Sequence, residues 1–531
     1  MKIHQKSMLH LFSILLLLGL TACGSSNKYS SYEGASGDEL EEFLIQQADD
    51  ISAIKGMTVI QGHLIILDTD FETLDFLSDI TEIQGTFAIA NNSRLSSLQG
   101  TESIQSIGED FYLGRNTKLS SPSEIKNLQS VGADFFISEN TSLTSLEGFD
   151  SLAVIGGSLF VSSNVGLPSL SGLESLESIK TSIYISDNTG LTSLSGLINI
   201  DSSIQTISIV GNSGLKSLMG LENIISARDL FVDGNDDLTS LAGLKNVESI
   251  ESLLYFARNH QLTNLSELSN LESIGERLTI YENDQLTSLT GLEGIQTING
   301  DLEISQNKNL TSLSGLDNLL SIGKNLRVFQ NEKLTSLLGL GSLQSINGDA
   351  YISYNDSLTT ISGLESTQYI GGSLALHENT NLTTLLGIEN IQSIGDNLEI
   401  MGTDYLFSLL GLEHIRTIDG SVKLSNNGAL TSLNGLENLQ TIEGSLDISE
   451  NATLISLQGL GNVQLVGAID LRFNPSLLSI TELTSLTRVD RSFYIFSHDV
   501  LCTSNAESLL HQIEDERGLG GDFNIYDNND C

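Results

Sequence analysis

A repeat of about 24 residues is the feature that most constrains this chain of 531 residues. In the unit that begins at Asn140, apolar residues follow at steps of three to Ile155, and Leu159 and Val161 then alternate with polar or outward residues. A period of this length predicts a solenoid, in which each unit packs on its neighbours. The recurring asparagines are residues 92, 116, 140, 164, 188, 212, 235, 259, 283, 307, 331, 355, 379, 427, 451 and 474, and Thr403 and His498 take the same place in two other units.

One unit predicts the shape of one turn. The alternation in Leu159–Val161 has strand spacing, and the triplets before it indicate short extended pieces separated by corners. Because a turn of this length closes more easily as a β-helix coil than as a helix-backed repeat, we predict an all-β, right-handed β-solenoid of about 18 turns with short helical caps at both ends. We expect the asparagine to bond backbone groups at its corner and to stack on the asparagine of the next turn. A row of ligand-binding amides is the alternative.

A glycine recurs eight residues after the asparagine in most units. Glu124, Glu267 and Glu482 take this place in three units. Glutamate is disfavoured at positive φ. We therefore expect the glycine to permit close approach of the backbone without requiring a positive φ.

The N-terminus has the layout of a targeting segment. Lys2 and Lys6 precede an apolar run from Leu9 to Leu20 that is too short for a permanent membrane helix. The following Leu-Thr-Ala-Cys resembles a bacterial lipobox, which implies cleavage before Cys23 and lipidation of that residue. Gly24 follows the cysteine, and by the same resemblance this favours the outer membrane. An ordinary secreted protein with a chance cysteine is the alternative.

The repeat and the flanking composition divide the chain into five parts. We expect a lipoprotein signal peptide at 1–22, a lipidated cysteine with a small, polar tether at 23–37, an N-terminal helical cap at 38–60, the solenoid at 61–500 and a C-terminal cap at 501–531. In the N-terminal cap, DELEEFLIQQADD (38–50) has apolar residues at helical spacing.

The C-terminal cap shows a helical segment near 504–514 and then a last strand, Phe523–Ile525. Cys502 and Cys531 lie at nearly equivalent places in adjacent turns, and strands are about 4.8 Å apart. This spacing predicts a disulfide, and a free thiol pair is the alternative.

The repeat units resemble the receptor L-domain family. The resemblance is carried by VIGGSLFVSSN (154–164), LTSLSGL (191–197), LTSLTGLEGIQTINGDLEISQN (286–307) and LTSLNGLENLQTIEGSLDISEN (430–451). It covers about residues 60–500 and implies a leucine-rich-repeat-like β-helix, with a role in binding or surface architecture, as in bacterial surface lipoproteins. It implies no specific ligand.

Charge and motifs exclude several functions. The formal net charge of −43 opposes binding to nucleic acid or to anionic membrane surfaces. The sequence has no GxSxG, P-loop, HExxH or CxxC motif, so we name no catalytic residues and predict that the chain is not an enzyme. A carbohydrate-active enzyme with two carboxylates is the distant alternative.

One column of outward strand residues changes character along the chain. In the N-terminal half it is mostly aromatic, and in the C-terminal half it is mostly polar. We interpret the aromatic part as a candidate binding strip for a glycan or a protein. A ladder that only stiffens the sheet, or a strip covered by the cap or tether, are the alternatives. The candidate residues are Tyr112, Phe136, Phe160, Tyr184, Phe231 and Tyr255.

A second column lies ten residues after the asparagine and is acidic. A solvated acidic face is one interpretation, and weak calcium binding at the surface is the other, because calcium prefers oxygen ligands. The calcium candidates are Glu365, Glu389, Glu413 and Glu437, on four consecutive turns. We predict no other cofactor.

These observations together predict a non-enzymatic, lipid-anchored protein of the bacterial cell envelope. It would present a rigid scaffold to a glycan or protein partner, with the membrane contacted through the lipid. A structural spacer or self-associating surface protein without a discrete ligand is the alternative.

Overall fold

The computed structural model describes residues 40–200, 204–515 and 518–531. Residues 41–531 form one compact unit, which is a parallel β-solenoid of about 20 turns. The predicted fold class is thereby confirmed, and the right-handed sense of the coil stays a prediction. The expected signal peptide, Cys23 and the expected tether lie outside the described residues. Two turns more than expected are present, because segments assigned to the caps also form turns.

One long parallel sheet runs the length of the unit and contributes one main strand to each turn. Neighbouring turns pair in register, so that Phe135, Leu159 and Ile183 are direct neighbours. The main strands are Glu41–Ile45, Gly62–Leu67, Phe87–Ala90, Phe111–Gly114, Phe135–Ser138, Leu159–Ser162, Ser182–Ser186, Ile204–Val210, Ser226–Asp233, Ser249–Ala257, Arg277–Tyr281, Leu302–Ser305, Leu326–Phe329, Ala350–Ser353, Leu374–His377, Leu398–Met401, Val422–Ser425, Thr441–Ser449, Leu465–Arg472, Phe493–Cys502 and Phe523–Asn529.

Short two-residue strands form the other side of many turns. The first six make a separate six-stranded parallel sheet. They are Val59–Ile60, Glu82–Ile83, Ser106–Ile107, Ser130–Val131, Val154–Ile155 and Ser178–Ile179. The later ones are Ser273–Ile274, Thr297–Ile298, Ser321–Ile322, Ser345–Ile346, Tyr369–Ile370, Ser393–Ile394, Thr417–Ile418 and Arg488–Val489. The 3-10 helices are Ala48–Ala53, Asp75–Leu77, Ser195–Leu197 and Ser266–Leu268, and Thr503–Asp515 is α-helical.

The core is a continuous apolar column inside the coil. In the turn of Asn140, the triplet residues Leu143, Leu146 and Leu152 are fully buried. Each such side chain contributes about 1.5–3 kcal/mol relative to exposure. Because every turn supplies the same inward positions, the core continues from turn to turn.

The recurring asparagines form a buried hydrogen-bonded ladder. Asn283 is fully buried, and its backbone N–H donates to Oδ1 of Asn307 over 3.0 Å. The Nδ2 group of Asn307 donates to the carbonyl of Ile280, on a main strand of the preceding turn, over 2.9 Å. Each asparagine therefore satisfies backbone groups that the corner removes from water, and leaving such groups unpaired costs about 1–3 kcal/mol. The predicted scaffold role is confirmed.

Two exceptions show what the ladder requires. Thr403 donates from Oγ1 to Asn427 over 2.6 Å, but no hydrogen bond joins it to the backbone N–H of Asn379 among the described contacts. His498 replaces the amide more fully. Its Nδ1 accepts from the N–H of Asn474 over 3.3 Å, and its Nε2 donates to the carbonyl of Leu471 over 3.1 Å.

The expected close approach of the backbone at the recurring glycine is confirmed, but the expectation that no positive φ is required was wrong. Gly291 has φ +114°, and a Cβ there would collide with the carbonyl oxygen of Leu265 in the previous turn. Glycine is therefore required by both conformation and space. Glu267 is tolerated because its corner is the 3-10 helix Ser266–Leu268, and it has no positive φ.

A second strained position immediately precedes the asparagine. Arg115, Glu139 and Phe473 all have φ between 53 and 56°, a left-handed conformation that is uncommon for non-glycine residues. It turns the chain from the main strand into the corner. These residues share no chemistry, so the sequence does not reveal the constraint.

The N-terminal cap differs from the prediction. The expected helix over 38–50 was wrong, because Glu41–Ile45 is a strand that pairs in parallel with Gly62–Leu67, and only the 3-10 helix Ala48–Ala53 follows. The first full turn presents an open strand edge, and a strand satisfies those backbone groups whereas a helix does not. Phe43 and Ile45 point inward and are buried.

The C-terminal cap agrees with the prediction. The helix Thr503–Asp515 buries Leu509 and Ile513 against the last turns, and the strand Phe523–Asn529 pairs with Phe493–Cys502. Cys502 and Cys531 form a disulfide with their Cα atoms 5.5 Å apart. In the chain-entropy model such a bond contributes about 3–4 kcal/mol.

Replacing Asn307 by threonine tests the ladder. We expect a loss of about 1–3 kcal/mol in the free energy of unfolding, because the Asn283 N–H and the Ile280 carbonyl lose their partners. The matched variant Thr403→Asn should raise stability by about 1 kcal/mol by restoring an acceptor for Asn379. Urea unfolding and amide hydrogen exchange measure both. Equal effects of the two variants would contradict the ladder account.

The buried His498 predicts a pH dependence at the C-terminal turns. Burial lowers the pKa of His498, against the opposing effect of the nearby Asn474 and Leu471 carbonyls and of Asp499. The unfolded chain therefore binds a proton at this histidine more readily than the folded chain does. The stability that neutral His498 contributes is present above the ordinary histidine pKa and is lost as pH falls through the lowered value. The melting temperature of wild type should fall relative to His498→Asn between pH 8 and 5. A constant difference would refute the assignment.

Candidate binding face

The outward column of the long sheet is positioned by strand register. Tyr112, Phe136, Phe160 and Tyr184 are direct neighbours on successive strands. Ser208 follows Tyr184, and the aromatic column resumes with Phe231 and Tyr255. The structure therefore brings the six predicted strip residues onto one face, as two groups separated by a serine.

The first group is a stack of rings whose faces cover one another. Phe136 and Phe160 have centroids 4.5 Å apart and planes inclined by 12°, and Phe160 and Tyr184 have centroids 4.7 Å apart and planes inclined by 9°. Such stacks add roughly 0.5–1.5 kcal/mol per pair beyond their area burial. The Phe160 ring is thus covered on both faces, so a ligand cannot stack on the middle of this group.

The beginning of the strip is also largely closed to solvent. Tyr112 is 5% exposed and Phe136 is 8% exposed, so the expectation of an open strip was wrong for these two. The Tyr112 ring lies over Gly114, which has no side chain to displace it, and the Tyr112 hydroxyl lies 3.2 Å from Ser138 Oγ. Burial raises the pKa of Tyr112. The burial of these two side chains favours the ladder alternative for the N-terminal part of the strip.

The second group ends in an open depression. Phe231 and Tyr255 have centroids 5.9 Å apart and tilted planes, and the next residue in the column is Thr279. A cavity of about 420 Å³ lies at this step and is lined by Phe231, Tyr255, Arg277, Thr279, Tyr281 and Glu303. Ring surface is uncovered here because threonine is too small to continue the stack.

Register explains how the depression is built. Thr279 is 5% exposed and forms the floor, with Tyr255 beside it on one strand and Glu303 beside it on the other. Arg277 and Tyr281 flank Thr279 on its own strand, two residues away on the same face. Tyr255 was predicted from the sequence as a site residue, but Arg277 and Tyr281 were not, although the two-residue period of a strand places them on this surface.

A positively charged and a negatively charged side chain both border the depression. Arg277 forms an ion pair with Asp301 over 2.6 Å, and Ser305 Oγ donates to Glu303 over 3.3 Å. Burial, followed by the negative charge of Asp233, raises the pKa of Tyr255. The tyrosine therefore stays neutral at physiological pH. The site combines an aromatic surface with hydrogen-bond donors and acceptors.

The acidic column has a structural role that the sequence argument missed. The Glu389 carboxylate accepts a hydrogen bond from the backbone N–H of Gly387 over 2.9 Å, and the carbonyl of Glu365 accepts one from Asn390 over 2.8 Å. The same bond to a glycine N–H recurs at Glu365, Glu413 and Glu437. These carboxylates stabilise the corner.

No cation site emerges from the part of the chain that the structure describes. Within those residues no group of three or more histidine, cysteine or acidic side chains is arranged to hold a metal. Glu365, Glu389, Glu413 and Glu437 thus have an explanation that does not require calcium. In the same part of the chain, no helix has the length and apolarity needed to cross a bilayer.

A separate apolar patch lies on the corner side of the coil. Phe407 is 58% exposed, Tyr405 54%, Leu386 50% and Leu410 49%. They belong to the turn of Thr403 and the turn before it, where the asparagine ladder is interrupted. Exposed apolar side chains that lie on neighbouring turns are candidates for an interaction surface, and this group was not predicted from the sequence.

Comparison with known proteins agrees with the repeat architecture. Residues 67–166 and 279–399 match the BspA type Leucine rich repeat region model in six copies, and no curated protein matches the chain. Residues 390–514 match the Receptor L domain model, which confirms the resemblance inferred from the repeat units. The chain is thus similar to receptor L domains and to BspA-type leucine-rich repeats, and its solenoid is a scaffold of the kind that repeat recognition proteins use.

Proposed function

We propose that this chain is a non-enzymatic, lipid-anchored protein of the bacterial cell envelope that binds a glycan or protein partner through the long sheet. The observation that carries this proposal is the uncovered aromatic surface at Phe231 and Tyr255, beside polar groups. Aromatic residues dominate interface energetics, and in the first aromatic group the ring of Phe160 is covered on both faces. The matched families are typically non-enzymatic, which supports a binding role over catalysis.

The anchor is proposed from the N-terminal segment alone. Leu20, Thr21 and Ala22 precede Cys23 as in a bacterial lipobox, and Gly24 favours the outer membrane. Two or more acyl chains hold a protein stably on a bilayer. The small, polar tether at 24–37 would separate the solenoid from the lipid surface.

The anchor predicts a change of compartment for Cys23→Ala. In a bacterial host, wild type should fractionate with the outer membrane and incorporate radiolabelled palmitate, because Cys23 carries the lipid. The variant should lose the label and leave the membrane fraction. Cys502→Ser is the matched control, because it removes another cysteine and should keep the label. Labelling of Cys23→Ala would contradict the proposal.

The binding surface predicts which substitutions abolish capture of a partner. The full-length chain in mild detergent serves as bait for envelope extracts and for a glycan array. Replacing Phe231 and Tyr255 together by serine should reduce retention at least tenfold, because the open ring surface is lost. Replacing Met219, an exposed residue on a corner, by serine is the control and should change nothing. Retention unaffected by the double substitution would contradict a role for this face.

Self-association without a discrete ligand is the second candidate, and the apolar patch favours it. In that case the same bait would retain only further copies of the chain. Retention would then be lost on replacing Phe407 by serine and would survive the double substitution at Phe231 and Tyr255. The one experiment therefore separates the two functions.

A further inference from the structure

The depression beside Tyr255 has the composition of a sugar subsite. Its floor is the buried Thr279, and uncovered ring surface of Tyr255 and Tyr281 lies around it. A pyranose ring presents a face of C–H groups that packs on an aromatic ring, and hydroxyl groups around its rim. Ring surface for such stacking is uncovered here. It is covered at Phe160, whose two faces are occupied by Phe136 and Tyr184.

The charges at the rim favour an uncharged ligand. Glu303 lies on one side of Thr279, and the Arg277 guanidinium, already paired with Asp301, lies at one end. A hydroxyl group can donate a hydrogen bond to Glu303 and accept one from Arg277. An anionic ligand would meet Glu303 and a chain of net charge −43, and a cationic ligand would meet Arg277. A neutral polyhydroxylated ring meets neither penalty.

The size of the depression limits the occupant to a small group. Its volume of about 420 Å³ lies near the lower end of the roughly 300–1,000 Å³ found for small-molecule pockets. The polar column continues on the far side through Arg327. A chain of sugars could therefore extend along the sheet with one ring seated at Thr279.

We infer that Tyr255, Tyr281, Arg277 and Glu303 form a binding subsite for an uncharged pyranose unit of a glycan. This inference rests on the proposed binding function and specifies its ligand class. Tyr255 and Tyr281 supply the stacking surface, Glu303 accepts from sugar hydroxyls, and Arg277 donates to them. Thr279 keeps the floor low enough for the ring to enter.

Calorimetric titration of the full-length chain in mild detergent tests the inference. The probes are hexasaccharides of glucose, mannose and N-acetylglucosamine, with a sulfated hexasaccharide as the anionic comparison. Wild type should bind at least one neutral probe and not the sulfated one. Tyr255→Ala should weaken that binding at least tenfold, and Glu303→Gln should weaken it several-fold while keeping the shape of the side chain.

Phe160→Leu is the matched control, because it removes a ring whose faces are already covered. It should leave the dissociation constant unchanged, and circular dichroism with thermal unfolding verifies that each variant is folded. Absence of binding to every neutral probe, or equal binding by wild type and Glu303→Gln, overturns the subsite. If the array and extracts still show capture that depends on Phe231 and Tyr255, the proposed function stands and only the sugar assignment fails.

Discussion

The hydrogen bond between each asparagine side chain and the backbone of the neighbouring turns is the interaction on which this structure depends. A solenoid buries one sharp corner per turn, and the backbone groups of that corner lose water. The Asn307 amide supplies both an acceptor for Asn283 and a donor for Ile280. Because the same residue type meets the same need in most turns, the coil keeps its register over about 20 turns.

Register then determines where function can lie. The inward leucines, the corner glycines and the acidic residues that bind glycine N–H groups are all committed to the scaffold. The outward strand residues remain variable. Where aromatic rings succeed one another, as at Phe136 and Phe160, they cover each other and stabilise the sheet. At Thr279, where the second aromatic group ends, ring surface of Tyr255 is uncovered.

Much of the fold could be predicted because it is periodic. The main strands, the asparagine ladder and the Cys502–Cys531 disulfide follow from position within the repeat. The N-terminal strand could not be predicted, because the position of Phe43 fits both helical and strand spacing. The open edge of the next strand is what makes this segment a strand. The positive φ before each asparagine could not be predicted, since the residues at that position, such as Arg115 and Phe473, share no chemical property. The depression was missed because it depends on side chains from three strands.

Fluorine NMR of the chain labelled with 3-fluorotyrosine tests most directly whether function resides at uncovered rings. Addition of a neutral oligosaccharide should shift the resonances of Tyr255 and Tyr281, assigned by single substitution to phenylalanine. The resonance of Tyr112, whose ring is buried against Gly114, should stay unchanged. Shifts at Tyr112 or Tyr184 without a shift at Tyr255 would contradict the account.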